Sequence, residues 1–225
     1  MDTACRADYF DHFDQSFMEL MQSSSCVQPR IGMESGSQRM LDYMHKDVTI
    51  EQILKAITLC EKYGIQPFVS YMIGLPTETR EEIEMSLRLA LKIRKMAPDA
   101  ILLPLVFRPY PGGDLYEDCK KDGLKEPESL RGWCAFQRVL TGYIDSLDWV
   151  AEKSFVRDAC FWMGVSQKER LNSRVKAESM GQLIRKMGVA SLACLADERW
   201  KHNFWSFPLD SRVALFLYTK GVIHQ

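Results

Sequence analysis

Short apolar runs alternate with longer segments of helical periodicity from Ala4 to Leu124. This alternation is typical of parallel strands joined by crossover helices. It predicts short strands at about 4–7, 30–34, 66–73 and 100–107, with helices between them. The expected fold class is therefore α/β, built from consecutive βα units.

Two capping-box sequences predict where helices begin. They are Thr49-Ile50-Glu51-Gln52 and Thr79-Arg80-Glu81-Glu82, in which the threonine and the fourth residue can satisfy each other's backbone N–H groups. Apolar residues at helical spacing follow each box. Gly64 and Pro98 are expected to end these two helices. The strands at 66–73 and 100–107 show little alternation of polar and apolar residues, which predicts burial on both faces.

The sequence changes character beyond Pro127. Five tryptophans occur between 133 and 205, and basic helical segments replace the βα rhythm. We therefore predict two regions, a βα region at 1–125 and a mainly α-helical extension at 126–225.

Composition narrows the class of partner. The 29 basic and 30 acidic residues nearly cancel, so bulk charge does not favour nucleic acid or an anionic membrane as a partner. The longest apolar run, at about 213–218, is too short to cross a bilayer. The seven cysteines form no close pair and no secretory leader precedes them, so a cytoplasmic location with reduced thiols is expected.

The residues best suited to binding or catalysis occur at the ends of three predicted strands. Glu34-Ser35-Gly36-Ser37 ends one predicted strand, Gly74-Leu75-Pro76 ends the next, and Arg108 begins the turn after the third. Ligands of parallel βα folds gather at the carboxyl ends of strands, where loops converge and helix N-termini present N–H groups. The three strand ends are therefore the candidate site.

The motifs at these strand ends resemble those of radical S-adenosylmethionine (SAM) enzymes. The resemblance is carried by Ile31–Ser37, by Leu41 and Lys46 after it, and by Met72–Pro76 with Glu78-Thr79. The Pro-Tyr-Pro-Gly sequence at 109–112 resembles the subset whose members often carry a cobalamin-binding domain. The resemblance covers about 1–125. It implies a partial (βα) TIM-like barrel that begins near the third strand, followed by a helical extension.

The resemblance also implies roles for particular residues. Glu34 would hydrogen-bond the SAM ribose with support from Ser35, and Lys46 would meet the SAM carboxylate. Other implied contacts are Ser70 and Tyr71 near the ribose, Met72, Ile73 and the Gly74 turn beside them, and Val106 and Arg108 near the adenine. Arg6 also points toward the expected ligand face. Plainer readings stay open: a helix N-terminal acid for Glu34, a solvated lysine, ordinary strand residues and an ion-pairing arginine.

The cluster motif of this family is absent from the sequence. Radical SAM enzymes bind a [4Fe–4S] cluster through C-x3-C-x2-C, whereas these cysteines are dispersed and are expected to be ordinary thiols rather than metal ligands. We therefore expect the C-terminal portion of a radical SAM enzyme, completed by a missing N-terminal half or a partner chain. Its cofactors would be SAM, a [4Fe–4S] cluster ligated outside this chain, and in some members cobalamin, for radical chemistry or methyl transfer on an unknown small molecule.

Two other functions stay open. One is a non-catalytic SAM-binding or scaffold protein that works with a partner chain. The other is an unrelated βα-barrel enzyme such as an aldolase, which would want a lysine or paired acids at strand ends, whereas Lys46 lies beyond a helix.

Overall fold

Four parallel strands form one sheet in the order β1-β2-β3-β4, as the alternation of strand and helix patterns predicts. The computed structural model describes residues 2–24, 28–136, 147–172, 194–196, 198, 199 and 202. The strands are β1 (Asp2–Cys5), β2 (Gln28–Glu34), β3 (Phe68–Ile73) and β4 (Ile101–Val106). This is an α/β fold consistent with part of a TIM-like barrel.

Helices connect successive strands and continue beyond the sheet. A 3₁₀ turn at Ala7–Asp11 follows β1. The helices are α1 (Gln15–Ser23), α2 (Gln38–Tyr43), α3 (Ile50–Lys62), α4 (Arg80–Met96), α5 (Asp114–Lys121), α6 (Leu130–Phe136) and α7 (Lys153–Asn172). Both capping boxes form as predicted, at Thr49 with Gln52 and at Thr79 with Glu82.

The two faces of the sheet differ in burial. Side chains such as Ile31, Val69 and Tyr71 are fully buried on one face, beside the apolar stripes of α3 and α4. On the other face Ala4, Arg30, Leu103 and Leu105 are exposed, and the remaining described side chains are half-buried. The prediction that β3 and β4 are buried on both faces is therefore wrong. Their apolar residues are continuous in sequence, but only alternate positions are covered.

The chain divides into two compact units, Met1–Lys153 and Ser154–Gln225. The first contains the sheet and α1 to α6. In the second, Val156, Trp162 and Met163 of α7 are buried, and the Arg199 guanidinium lies over the Trp162 ring with Cζ 4.8 Å from its centroid. Most other residues of the predicted helical extension lie outside the described ranges, and the predicted change at residue 125 stays a prediction. None of the described helices combines the length and apolar character that a membrane span requires.

Gly36 lets the turn after β2 lie directly against α4. A Cβ atom built on Gly36 would lie 2.5 Å from the backbone carbon and oxygen of Met85 and 2.6 Å from the Cα of Ser86. These are backbone atoms of a helix, so a side chain at this position would force α4 away from the turn. The contact sets the distance between the carboxyl end of β2 and the helix that follows β3.

We expect Gly36→Ala to lower the free energy of unfolding by about 1–3 kcal/mol, because the added methyl group overlaps helix backbone. Denaturant unfolding followed by circular dichroism measures this. The matched control is Gly113→Ala, since Gly113 has no heavy atom within 4 Å of the added carbon. Equal stability of the two variants would contradict the close approach of turn and helix.

Candidate functional site

A cavity of about 430 Å³ opens on the less covered face of the sheet. Its wall includes residues of β1, β2 and β3, the 3₁₀ turn and the loop before α3. The volume lies within the range of about 300–1,000 Å³ that is common for small-molecule sites. The charged side chains of the wall are three cations and two carboxylates: Arg6, Arg30, Lys46, Asp8 and Glu34.

Glu34 is directed into this cavity by an irregular strand end. The register of β2 against β3 shifts between Gly32 and Glu34, and Glu34 adopts a left-handed backbone with φ of 58°. Its carboxylate folds back over Gly32, where an added Cβ would lie 2.6 Å from Oε1. Glycine at position 32 therefore leaves room for the carboxylate rather than for the backbone.

Lys46 is the partner of Glu34. Its Nζ lies 3.1 Å from Glu34 Oε1, and the two side chains are 37% and 21% exposed. The residues on either side, His45 and Asp47, have φ values of 52° and 48°. Histidine and aspartate tolerate the left-handed region better than most residues, so this loop can bend sharply at both positions. The bend brings Lys46 back to the strand end from beyond α2.

Arg6 holds the same loop from β1. Its guanidinium binds both carboxylate oxygens of Asp8, at 2.9 and 3.0 Å, and donates to the backbone oxygens of Lys46 and Asp47 at 3.0 and 3.4 Å. The hydrogen bonds from Arg6 lower the pKa of the Asp8 carboxyl below its ordinary value. A charged arginine–carboxylate pair of this kind fixes orientation as well as position.

The structure separates the predicted SAM contacts into two groups. Glu34, Lys46 and Ser70 line the cavity, as does Arg6, and Met72 lies on the same face of the sheet as Ser70. The members of the second group do not line the cavity: Ser35, Tyr71, Ile73, Gly74, Val106 and Arg108. Among these, Ser35, Tyr71 and Ile73 are fully buried. Whether each residue contacts SAM stays a prediction.

Ser35 belongs to a polar network behind the site. Its Oγ lies 3.2 Å from the Oγ of Ser86 on α4 and accepts a hydrogen bond from the Ser37 N–H at 3.1 Å. Ser86 Oγ also accepts from the Gly36 N–H at 2.8 Å. Ser35 therefore supports Glu34 through the turn, in a position that a ligand in the cavity does not reach.

Gly74 lies in a turn whose backbone groups are already bonded. Its N–H donates to Glu78 Oε2 at 2.6 Å, and its carbonyl accepts from the Trp149 indole N–H at 3.2 Å. Its φ of 80° favours glycine, and an added Cβ would lie 3.3 Å from Val150. The turn is thus closed by residues 149 and 150, which the sequence did not connect to it.

Glu78 is a buried carboxyl group in the same turn. It is 5% exposed, and Oε2 accepts the N–H groups of both Gly74 and Leu75, whereas Oε1 has no hydrogen-bond partner among the described residues. Burial raises its pKa to about 7, against the opposing effect of the two N–H groups. Glu78 is therefore expected to change charge near neutral pH.

Sequence reasoning missed Asp8 and Arg30 as wall residues. Arg30 and Glu34 are four residues apart on β2 with Gly32 between them, so a regular strand would place both side chains on one face. This spacing could have identified Arg30 as a wall residue once Glu34 was assigned to the site. Asp8 gave no comparable signal, because its position depends on the 3₁₀ turn after β1.

The described cysteines do not fit an iron–sulfur cluster. Such a cluster needs several thiolates close together. Among the residues that the structure describes, no three histidine, cysteine, aspartate or glutamate side chains are grouped to hold a metal. The described cysteines are dispersed: Cys5 and Cys160 are half-buried, Cys60 and Cys119 buried, and Cys134 and Cys194 exposed.

Fold and cavity define a protein of parallel βα units with a ligand-sized site beside the carboxyl ends of its strands. Residues 7–90 match the radical SAM superfamily. This segment contains β2, β3 and the Glu34–Lys46 pair. This part of the chain is therefore similar to the radical SAM superfamily.

Three curated relatives are each similar to less than half of the chain. A protein of Pyrococcus horikoshii described as an uncharacterized methyltransferase is 32% identical over 105 residues, which cover 47% of this chain and 22% of that protein. The anaerobic magnesium-protoporphyrin IX monomethyl ester cyclase of Rubrivivax gelatinosus is 30% identical over 105 residues, covering 47% and 18%. An uncharacterized protein of Methanocaldococcus jannaschii is 39% identical over 86 residues, covering 38% and 19%. The chain thus spans about a fifth of the length of these relatives.

Titration of Glu78 predicts a fall in stability as the pH rises. Its folded-state pKa of about 7 lies above the ordinary value of 4.5, so its contribution is fully present below about pH 4.5 and is lost as the pH rises through 7. We expect Glu78→Gln to remove on the order of 2 kcal/mol from the difference in unfolding free energy between about pH 5 and about pH 8.

Thermal or urea unfolding at the two pH values measures this difference. The control is Glu81→Gln, which removes an exposed carboxylate from the first turn of the adjacent helix. If Glu78→Gln keeps the pH dependence of the wild type, the raised pKa is refuted.

Proposed function

We propose that this chain supplies the SAM-binding wall of a radical SAM enzyme that performs radical chemistry or methyl transfer on a small organic substrate. The observation that carries the proposal is the Glu34–Lys46 pair in a ligand-sized cavity, within the segment that matches the superfamily. The names of two relatives, a methyltransferase and a cyclase, support both reaction types.

The cavity has the groups that SAM would need. SAM carries two vicinal ribose hydroxyls and an amino-acid carboxylate. The Glu34 carboxylate can accept hydrogen bonds from the hydroxyls, and the Lys46 ammonium can meet the carboxylate as a point charge. Ser70 Oγ, across from Gly32 in the sheet, offers a further hydrogen bond. When bound, SAM supplies the methyl group or the radical chemistry of the reaction.

The pair is easily opened by a ligand. Ion pairs between side chains as exposed as Glu34 and Lys46 are typically worth about 0–1 kcal/mol. A ligand that offers separate partners to the two groups therefore loses little by separating them. Until then, each charge neutralises the other and keeps its side chain near the binding position.

The cluster is proposed to come from outside these 225 residues. The superfamily typically uses a [4Fe–4S] cluster with SAM, whereas this sequence contains no C-x3-C-x2-C motif. The relatives are about five times longer than the segments they share with this chain, so they have room for such a motif elsewhere. An N-terminal half or a partner chain could supply the thiolates. A cobalamin cofactor is part of the same proposal, and the Pro-Tyr-Pro-Gly sequence at 109–112 supports it.

Calorimetric titration of the full chain with SAM tests the binding wall. We expect Glu34→Gln to weaken binding by about 10- to 100-fold, because a charged acceptor for the ribose hydroxyls is lost. Gly32→Ala should also weaken it, since the added methyl group displaces the Glu34 carboxylate without meeting backbone. The control Glu84→Gln removes a carboxylate of α4 that is paired with Arg80 and Arg88 outside the cavity. Unchanged affinity in Glu34→Gln would remove Glu34 from the site.

Anaerobic reconstitution with iron and sulfide tests the origin of the cluster. We expect the isolated chain to bind SAM yet to show neither the visible absorption of a [4Fe–4S] cluster nor SAM cleavage. Stable cluster absorption that a cysteine-to-serine variant abolishes would show that this chain holds the ligands itself.

A further inference from the structure

The loop that carries Lys46 is held by two different elements. On its N–H side it is bonded to α2, where the Lys46 N–H donates to the Leu41 carbonyl at 3.1 Å. On its carbonyl side it is bonded to Arg6, whose Nη2 lies 3.0 Å from the Lys46 oxygen and 3.4 Å from the Asp47 oxygen. Arg6 comes directly after β1. The backbone at Lys46 is therefore positioned from the sheet as well as from α2.

The loop conformation at Lys46 needs contacts from outside the loop. His45 and Asp47, on either side of Lys46, have left-handed backbone with φ of 52° and 48°. Left-handed backbone is unfavourable for residues with a Cβ atom and persists only where surrounding contacts hold it. The Arg6 guanidinium supplies such contacts at the carbonyls of residues 46 and 47. Loss of Arg6 is therefore expected to release the segment that directs Lys46 towards Glu34.

Asp8 fixes the guanidinium in the orientation that this contact requires. Its two carboxylate oxygens accept hydrogen bonds from Nε and Nη2 of Arg6 at 2.9 and 3.0 Å, which is two-point geometry. Nη2 is also the nitrogen that reaches the loop carbonyls. Because Asp8 neutralises the charge of Arg6, the pair adds no net charge to the cavity wall. Its effect on a ligand is therefore expected to come from geometry rather than from charge.

We propose that Arg6 and Asp8 form a positioning pair that holds Lys46 where it meets the carboxylate of the bound nucleoside. The inference rests on the proposed function for the identity of the ligand. It assigns Arg6 an indirect role, through the backbone of Lys46, instead of a contact with the ligand. The ribose end of the ligand should not depend on the pair, because Glu34 is positioned by β2 itself.

Two nucleosides that differ only at the amino-acid end test this role. S-adenosylhomocysteine carries the ribose and the amino-acid carboxylate, whereas 5′-methylthioadenosine carries the same ribose and a methyl group in place of the amino-acid chain. Calorimetric titration of the full chain with each nucleoside compares Arg6→Gln, Asp8→Asn, Lys46→Gln and the double variant Arg6→Gln/Lys46→Gln with the wild type. The control is Arg88→Gln, which removes an arginine that is paired with Glu84 on α4, outside the cavity.

We expect Lys46→Gln to weaken binding of S-adenosylhomocysteine roughly tenfold, which is the loss of one charge-assisted contact. Arg6→Gln should weaken it about 3- to 10-fold, because the released lysine must then be ordered on binding. Both variants, and Arg88→Gln, should bind 5′-methylthioadenosine as the wild type does. The double variant should bind S-adenosylhomocysteine no more weakly than Lys46→Gln alone, since Arg6 acts through Lys46.

Asp8→Asn separates positioning from charge, and it provides a second variant should Arg6→Gln not fold. Arg6→Gln removes a positive charge from the cavity wall, whereas Asp8→Asn removes a negative charge. A purely electrostatic effect on the ligand carboxylate would therefore have opposite signs in the two variants. A positioning pair requires weaker binding of S-adenosylhomocysteine in both. Tighter binding by Asp8→Asn would overturn the proposal.

Hydrogen exchange of the ligand-free chain tests the hold on the loop without any nucleoside. The amides of residues 45–48 should exchange faster in Arg6→Gln and Asp8→Asn than in the wild type or Arg88→Gln. Unchanged exchange would overturn the positioning role alone. Losses of affinity that add in the double variant would also overturn it, because Arg6 would then contact the ligand itself. Binding of neither nucleoside by the wild type would instead overturn the proposed function, and with it the role of Lys46.

Discussion

The Glu82 carboxylate joins the two turns from which the site is built. It accepts hydrogen bonds from the Arg39 guanidinium at 2.6 Å to each oxygen, from the Ser37 hydroxyl at 3.0 Å, and from the N–H and hydroxyl of Thr79 at 3.0 Å each. These contacts, led by the bond with Arg39, lower its pKa to about 2. One group therefore connects the turn after β2, helix α2 and the start of α4. With the close contact at Gly36, it determines where the end of β2, and hence Glu34, lies relative to β3.

The two faces of the sheet have different roles. Stability comes from the face with Ile31, Val69 and Tyr71, where burial is complete and each large side chain contributes on the order of 1.5–3 kcal/mol. Ligand recognition is proposed for the opposite face, where charged and polar side chains line the cavity around Gly32. Because strand side chains alternate between faces, the residues of one motif separate into these two roles. Ser70 reaches the cavity, whereas Tyr71 beside it belongs to the core.

Sequence predictions succeeded where they depended on residues that are neighbours in the chain. Capping boxes at Thr49 and Thr79 depend on four consecutive residues, so the sequence alone predicts them. The proximity of Lys46 to Glu34 followed only from the family resemblance, and the loop that achieves it depends on Arg6, which lies just after β1. The closing of the Gly74 turn by Trp149 joins residues 75 positions apart, for which no local pattern exists. Exposure of Leu103 and Leu105 depends on which elements cover β4, which hydrophobicity does not specify.

Backbone strain is concentrated in the turns and loops around the sheet, and three of the four strained residues lie at or beside the Glu34–Lys46 pair. The described non-glycine residues with left-handed backbone are Glu34 at the end of β2, His45 and Asp47 in the loop after α2, and Thr77 in the loop after β3. Such conformations cost of order 1 kcal/mol or more each and persist only when surrounding contacts hold them. The contacts are present: Lys46 binds Glu34, Arg6 binds the carbonyls of 46 and 47, and Arg39 binds the carbonyl of Thr77. The arginine side chains that Asp8 and Glu82 hold in place thus fix the conformation of these loops before a ligand binds. This lowers the entropic cost of ordering the loops on binding.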